Sequence, residues 1–151
     1  SDDRLLTQLL RHPFLHQPPP KSSGREDFHL DWLQGELAAG GRQPVDEDVQ
    51  ATLLEFTART VADAINTLGL GAGDLLLCGG GAHNTTLRHR LATLLPDWPL
   101  ASTADHGLAP DWVEATAFAW LARRTLRGQA GNLPAVTGAA GARILGGIYL
   151  A

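Results

Sequence analysis

The fold of this chain is decided by one stretch, Leu75-Leu76-Leu77-Cys78-Gly79-Gly80-Gly81-Ala82-His83-Asn84, in which an apolar run ends in three glycines and, shortly after them, an asparagine. A short apolar run between turn residues is typical of a buried strand, and Asn84 suits the N-cap of a following helix. Glycines allow positive φ and close approach to the backbone, and N–H groups at a strand-to-helix turn bind anions. Gly79, Gly80, Gly81 and Asn84 are therefore candidate contacts for a nucleotide or another phosphorylated ligand.

Two known phosphate-binding fingerprints do not fit this stretch. A Walker A loop ends in Gly-Lys-Ser or Gly-Lys-Thr, and the dinucleotide fingerprint needs a third glycine where Asn84 stands. Many strand-to-helix turns use glycine for their geometry alone. The residues by themselves leave both a structural turn and an anion site open.

The composition restricts the class of protein. The 151 residues are 44% hydrophobic and 19% charged, which indicates one folded domain. A net charge of −4 does not provide the basic surface that attracts nucleic acids or anionic lipids, so we expect neither partner. No apolar run reaches the roughly 18 residues of a membrane helix, and the first residues do not form a signal peptide.

Two residue types bear on the origin of the chain. The single cysteine, Cys78, ends the apolar run and indicates a buried thiol in a reducing compartment, which favours a cytoplasmic protein. The chain contains no methionine, not even at position 1, which favours a start inside a longer gene product.

Helix and strand patterns alternate along the chain and predict a layered α/β arrangement. The segment Asp46–Leu68 has the clearest helical period, with a predicted apolar stripe of Val49, Leu53, Phe56, Thr57, Val61, Ala62, Ile65 and Leu68. Other predicted helices are a short segment around residues 5–10 that Pro13 stops, Asp27–Ala39, Asn84–Leu95 and Asp111–Arg127. Predicted strands are Asp74–Cys78 and Pro99–Ser102, and the tail Ile144–Leu150 is either a strand or an extended end.

Three further stretches accompany the glycine turn: Pro19-Pro20-Lys21-Ser22-Ser23-Gly24-Arg25-Glu26-Asp27-Phe28 before it, Val113-Glu114-Ala115-Thr116-Ala117-Phe118-Ala119-Trp120-Leu121-Ala122 after it, and Gly131-Asn132-Leu133-Pro134-Ala135-Val136-Thr137-Gly138-Ala139 in the tail. With Cys78–Asn84 they resemble the anhydro-N-acetylmuramic acid kinase family, in order and spacing, along nearly the whole chain. Ser23 stands where family members usually have Thr, and it keeps the hydroxyl.

The resemblance implies an α/β fold with a mixed sheet and flanking helices, the C-terminal lobe of the actin-like, sugar-kinase and Hsp70 ATPase superfamily (ribonuclease H-like). Residues 1–151 would then be the nucleotide-side lobe of a two-lobe kinase, and the N-terminal lobe is expected to lie outside this chain. That lobe carries the family's first phosphate-binding hairpin and its catalytic aspartate. No catalytic residue is therefore assigned here, and the chain alone is expected not to catalyse.

The resemblance also implies a reaction. Water opens the 1,6-anhydro bridge of anhydro-N-acetylmuramic acid, O6 accepts the γ-phosphoryl group of ATP, and N-acetylmuramic acid 6-phosphate results, as a step of peptidoglycan recycling in a bacterial cytoplasm. The implied partners are ATP with Mg²⁺, the anhydro sugar, the N-terminal lobe and a second copy in a homodimer. Gly79, Gly80, Gly81 and Asn84 become nucleotide contacts, and Glu114 resembles the glutamate that contacts the sugar.

Several candidate residues have a structural alternative. Asp111-Trp112-Val113-Glu114 is also a capping box, in which Glu114 would bond back to the helix start. A lone loop histidine such as His83 is more often exposed or satisfied locally than a ligand contact.

Lys21 and Arg25 are cations suited to a phosphate or to the sugar carboxylate, but Ser23–Glu26 is another capping box, which favours a structural role. Asp105 and His106 have no partner visible in the sequence, and no role is assigned to them.

The helix after Glu114 is predicted to pack its small and apolar residues into the core: Ala115, Phe118, Ala119, Leu121 and Ala122. No group of His, Cys and acidic residues has the spacing of a dedicated metal site, and Mg²⁺ is expected to arrive with ATP. Two rival functions stay open, namely another actin-like sugar kinase and a non-catalytic nucleotide-binding or dimerisation module.

Overall fold

A computed structural model of the chain describes residues 1–41 and 44–149. Its helices are α1 (Asp3–Leu9), α2 (Leu30–Ala39), α3 (Asp46–Thr67), α4 (Thr85–Leu94), α5 (Val113–Leu126) and α6 (Pro134–Thr137). Its strands are β1 (Leu75–Leu77) and β2 (Leu100–Ser102). Short 3₁₀ helices span Pro13–His16, Gly80–His83, Thr103–His106 and Pro110–Trp112. Within the described residues, no helix is long and apolar enough to cross a membrane.

The sheet is smaller than expected. β1 and β2 pair in parallel, from Leu75 opposite Leu100 to Leu77 opposite Ser102. The α/β class is confirmed, but the mixed sheet is wrong for the described part of the chain, which is mostly helical with two parallel strands. Both strands are only three residues long, because the apolar runs that form them are short.

The first two helices begin at capping side chains. The Asp2 carboxylate accepts the N–H groups of Arg4 and Leu5, both at 3.0 Å, and so begins α1. The predicted start of α2 at Asp27 is wrong, because His29 caps the helix by accepting the N–H of Trp32 at 3.2 Å.

The capping box predicted for Ser23 and Glu26 is also wrong. Residues 25–27 form a turn, in which the Asp27 N–H donates to the carbonyl of Gly24 at 3.4 Å. The Glu26 carboxylate folds back over Gly24, so that a side chain at position 24 would overlap it.

Helices α1, α2 and α3 form the main hydrophobic core. Leu5, Leu6 and Leu9 of α1 are buried, and Leu9 is fully enclosed. The core also contains an aromatic group, in which the rings of His12, Phe28, Trp32 and Phe56 pack together with centroids 4.6 to 6.1 Å apart. Edge and tilted ring contacts of this kind add to the free energy gained by burial.

Helix α3 packs on two sides, because α1 lies against one of its faces and α4 against another. Small buried residues, Ala58 and Ala62, lie on α3, and Leu91 is buried on α4. The predicted stripe was therefore only partly right, since Val61 and Leu68 are exposed and Thr52 is fully buried. The Thr52 hydroxyl accepts the N–H of Asp2 at 2.8 Å and donates to the carbonyl of Asp48 at 2.6 Å, which explains a buried polar residue there.

The second half of the chain buries far less. Leu76 is exposed and so is Cys78, which corrects the predictions of a buried strand and a buried thiol. Ala115, Phe118, Ala119 and Ala122 of α5 are exposed and Leu121 is half-buried, so their assignment to the core is also wrong. The physical reason is the same for all of them: no element within the described residues covers these faces.

The tail packs as an extended segment against α5 and forms no strand through residue 149. The N–H of Gly131 donates to the carbonyl of Arg143 at 3.0 Å, and the Thr125 hydroxyl donates to the carbonyl of Leu145. Leu150, the last residue of the predicted apolar tail, lies outside the described residues.

Candidate functional site

The glycine turn follows β1 and has a defined conformation. Gly79 has φ +66° and ψ −169°, values that favour glycine. Its N–H donates to the carbonyl of Pro110 at 3.0 Å, and its carbonyl accepts the N–H of Ala82 at 3.0 Å. Gly79 therefore shapes the turn, and its own amide is already used.

Gly80 and Gly81 differ from Gly79. Neither has a positive φ, and their N–H groups have no acceptor within the described residues. Among the described residues, a Cβ on Gly80 would meet nothing within 4 Å, and one on Gly81 would only touch the Leu87 side chain at 3.9 Å. The packing of this chain does not require glycine at either position, whereas close approach of a ligand to the backbone would.

Helix α4 begins as predicted from Asn84. The Asn84 Oδ1 accepts the N–H of Leu87 at 3.0 Å, so the side chain is a true N-cap. The N–H groups of Thr85 and Thr86 have no acceptor among the described residues. With those of Gly80 and Gly81 they are donors available to an anion, at the positive end of a ten-residue helix.

An ion pair holds α4 against α3. Arg90 approaches Glu55 with Nε 2.6 Å from Oε2 and Nη2 2.8 Å from Oε1, and Arg59 donates from Nε to Oε1 at 2.6 Å. The hydrogen bond from Arg90, with that from Arg59 and the charges of both arginines, outweighs the desolvation of the carboxylate and lowers the pKa of Glu55 from 4.5 to about 2. The helix that opens the candidate anion site is thus fixed to the main core.

Sequence reasoning missed the pair His83 and Asp111. Nε2 of His83 lies 2.8 Å from Oδ1 of Asp111, across 28 residues of sequence. Because an ionised carboxylate only accepts hydrogen bonds, Nε2 carries the donated proton. No local pattern could have indicated this contact, which depends on the packing of the 3₁₀ helices Gly80–His83 and Pro110–Trp112 against each other.

The second capping box is wrong as well. Helix α5 begins after Trp112 with no side-chain cap from any described residue, and Asp111 bonds to His83 instead. Glu114 lies exposed in the first turn of α5, and its carboxylate has no hydrogen-bond or salt-bridge partner among the described residues. Glu114 follows a segment that bonds to the glycine turn and its 3₁₀ helix, through the Pro110 carbonyl to Gly79 and through Asp111 to His83.

Two of the other polar candidates, Lys21 and Asp105, have structural contacts. Lys21 donates from Nζ to the carbonyls of Phe14 and Leu15 at 3.1 and 3.0 Å and lies 4.9 Å from the centroid of the Phe14 ring, contacts that are consistent with a structural role. The Asp105 carboxylate accepts the N–H of Ser102 at 2.8 Å and so completes a capping box, in which Ser102 is the N-cap of the 3₁₀ helix Thr103–His106.

The described residues contain no group of three or more His, Cys, Asp and Glu side chains placed to hold a metal ion.

Comparison with known proteins gives a consistent result. The sequence profile of a family described as anhydro-N-acetylmuramic acid kinase matches residues 2–151. A protein of that name from Thiobacillus denitrificans is 59% identical over 145 residues, which cover 96% of this chain and 39% of the relative. Proteins of the same name from Pseudomonas fluorescens and Coxiella burnetii are 54% and 48% identical, covering 96% and 97% of this chain and 40% and 39% of the relatives. The chain thus spans about two-fifths of the length of the curated relatives it matches.

Proposed function

This chain belongs to the anhydro-N-acetylmuramic acid kinase family, and we propose that it supplies the ATP-binding side of such a kinase. The observation that carries the proposal is the pair Gly80 and Gly81, whose N–H groups have no acceptor within the described residues and whose surroundings are open. Backbone donors at a turn that leads into a helix suit the phosphates of a nucleotide. Asn84 orders the helix start, and Gly79 fixes the turn through Pro110.

We assign the sugar to the neighbouring start of α5. Glu114 offers an exposed carboxylate without a partner among the described residues, which suits hydrogen bonds from sugar hydroxyls. In the proposed reaction, water opens the 1,6-anhydro bridge and O6 takes the γ-phosphoryl group of ATP. Within this chain, the turn would hold the phosphates and Glu114 would orient the sugar, since positioning and electrostatics supply most of the catalysis of phosphoryl transfer.

The general base is proposed to lie elsewhere in the protein. Of the two acidic residues at the start of α5, Asp111 already accepts a hydrogen bond from His83, and Glu114 is given to the sugar. On this proposal residues 1–151 are the C-terminal nucleotide-side lobe of a two-lobe kinase, and they do not catalyse alone. Mg²⁺ would enter bound to ATP and take its protein ligands from the other lobe.

The protein would act in the cytoplasm in peptidoglycan recycling, as a homodimer, and family membership argues against another actin-like sugar kinase. A second candidate, a non-catalytic nucleotide-binding or dimerisation module, is favoured by one observation: Phe118 and Trp120 expose large apolar surfaces that suit a protein partner.

Calorimetric titration with Mg-ATP tests the proposal, with Gly80→Ala as the variant. The added methyl has room in the free protein, so the fold should be unchanged, but it would lie where the phosphates approach. We expect the Kd for ATP to rise about tenfold, the order of one lost hydrogen bond to a charged group. The measurement should be made on this chain and on the complete protein, with turnover expected only in the complete protein.

Gly71→Ala is the matched control. Gly71 also lacks a positive φ, and a Cβ there would meet nothing within 4 Å in the part of the chain that the structure describes. Its ATP affinity should equal that of the unaltered protein. Equal affinity in Gly80→Ala would contradict the assignment of the phosphates to this turn.

A further inference from the structure

Two hydrogen bonds join the glycine turn to the start of α5. One runs between backbones, from the Gly79 N–H to the carbonyl of Pro110 at 3.0 Å. The other joins side chains, with Nε2 of His83 2.8 Å from Oδ1 of Asp111. His83 is the last residue of the 3₁₀ helix Gly80–His83, and Asp111 is the middle residue of Pro110–Trp112. The relative position of the two segments therefore depends partly on one pair of side chains.

The fold has little need of this pair. The side chains of His83 and Asp111 are 60% and 67% exposed, so they do not hold a core together. Neither caps a helix beside it, because Asn84 caps α4 and α5 has no side-chain cap. Pairs between exposed groups add little to the free energy of unfolding. The pair instead helps to fix the position of the segment Gly80–His83 relative to the segment Pro110–Trp112.

The pair lies between the two halves of the candidate site. On the side of His83 are the N–H groups of Gly80 and Gly81, which have no acceptor within the described residues. On the side of Asp111 is Glu114, three residues further along, a spacing that places it about one helical turn away. A displacement of one segment would change the distance between bound phosphate and bound sugar, and small misplacements of this kind reduce rates strongly.

We propose that His83 and Asp111 are positioning residues that couple the nucleotide site to the sugar site. The inference rests on the proposed function, because it needs ATP at the glycine turn and the sugar near Glu114. Binding of one ligand orders its own segment, and the His83–Asp111 hydrogen bond then holds the other segment in place. Each ligand should therefore raise the affinity of the other by the same factor, as thermodynamic linkage requires.

The test measures that factor in the complete protein. Calorimetry gives the Kd of a non-hydrolysable ATP analogue with and without saturating 1,6-anhydro-N-acetylmuramic acid, and the ratio of the two values is the coupling factor. We expect His83→Ala and Asp111→Ala each to lower it by about threefold or more, the order of one hydrogen bond. The double variant should lower it no further than either single variant, because both remove the same bond.

A conservative variant separates positioning from a purely structural role. Asp111→Asn keeps an oxygen that accepts the Nε2 proton of His83, so it should retain most of the coupling that Asp111→Ala loses. His89→Ala, an exposed histidine on α4, is the matched control and should leave the factor unchanged. Thermal unfolding should differ little among all of these variants.

The outcomes separate this inference from the proposed function. If the unaltered protein does not bind the ATP analogue, the proposed function itself fails. If it binds both ligands and the alanine variants keep the full coupling factor, only the positioning role of the pair is overturned. Equal loss in Asp111→Asn and Asp111→Ala would overturn it too, because the hydrogen bond would then not be the cause.

Discussion

The region of helices α1 to α4 and the region of α5 with the tail both contain large aromatic residues, but they differ in how far these side chains are buried. Phe56 in the first is 9% exposed and packs against Phe28 and Trp32. Phe118 in the second is 63% exposed, and Trp112, Trp120 and Ile148 are also exposed. Single exposed apolar residues are ordinary, whereas a contiguous exposed apolar patch is typical of a surface that a partner covers. The first region therefore packs its aromatic rings into a core of its own, whereas the rings of α5 have no cover within the described residues. On the proposed function, further polypeptide would cover them.

The largest expected effect tests the first half of this comparison. Phe56→Ala should lower the free energy of unfolding by about 3 to 5 kcal/mol, because it removes ring contacts and leaves a cavity beside α1 and α2. Urea unfolding followed by circular dichroism measures the change. A loss below about 1 kcal/mol would mean that the aromatic group is not the centre of the stable region.

The features predicted correctly from the sequence are mostly those that depend on neighbouring residues alone. The bounds of α3 were nearly correct, since its long helical period and the acidic first turn at Asp46 and Glu47 are local signals. The N-cap Asn84 was correct for the same reason. The start of α2 was predicted three residues early, because Ser23 and Glu26 have capping-box spacing but the Glu26 carboxylate folds over Gly24 instead.

Burial and long-range contacts could not be predicted in this way. A helical period shows which face of α5 is apolar, but it does not show whether anything covers that face. The exposure of Cys78 has the same explanation, since a short apolar run looks alike in a covered and an uncovered sheet. The contact of His83 with Asp111 depends on how distant segments pack, so neither residue carried a signal for it.

The second prediction concerns the ion pair that joins α4, and with it the glycine turn, to the stable region. The pKa of Glu55 is about 2 in the folded chain against 4.5 as the ordinary value, so its contribution is fully present above pH 4.5 and is lost as the pH falls through 2. Glu55→Gln should lower the free energy of unfolding at pH 7 by about 2 kcal/mol and flatten its dependence on pH between 5 and 2.

Urea unfolding at a series of pH values measures both effects. Glu47→Gln is the control, because Glu47 is exposed on the same helix and has no salt-bridge partner among the described residues. Its stability should follow the unaltered chain across the pH range. Parallel curves for the unaltered chain and Glu55→Gln would show that the ion pair with Arg90 does not hold α4 in place.

The smallest expected effect tests the second half of the comparison. Phe118→Ala makes the same chemical change as Phe56→Ala, but on a ring that is mostly in water already. In this chain it should change the free energy of unfolding by less than about 0.5 kcal/mol, while lowering the binding of a hydrophobic dye to the exposed surface. In the complete protein the same substitution should cost more, because the added polypeptide would bury the ring. An equally small effect in both would mean that the face of α5 stays exposed in the whole molecule, and the contrast between the two regions would then reflect only how each one packs within itself.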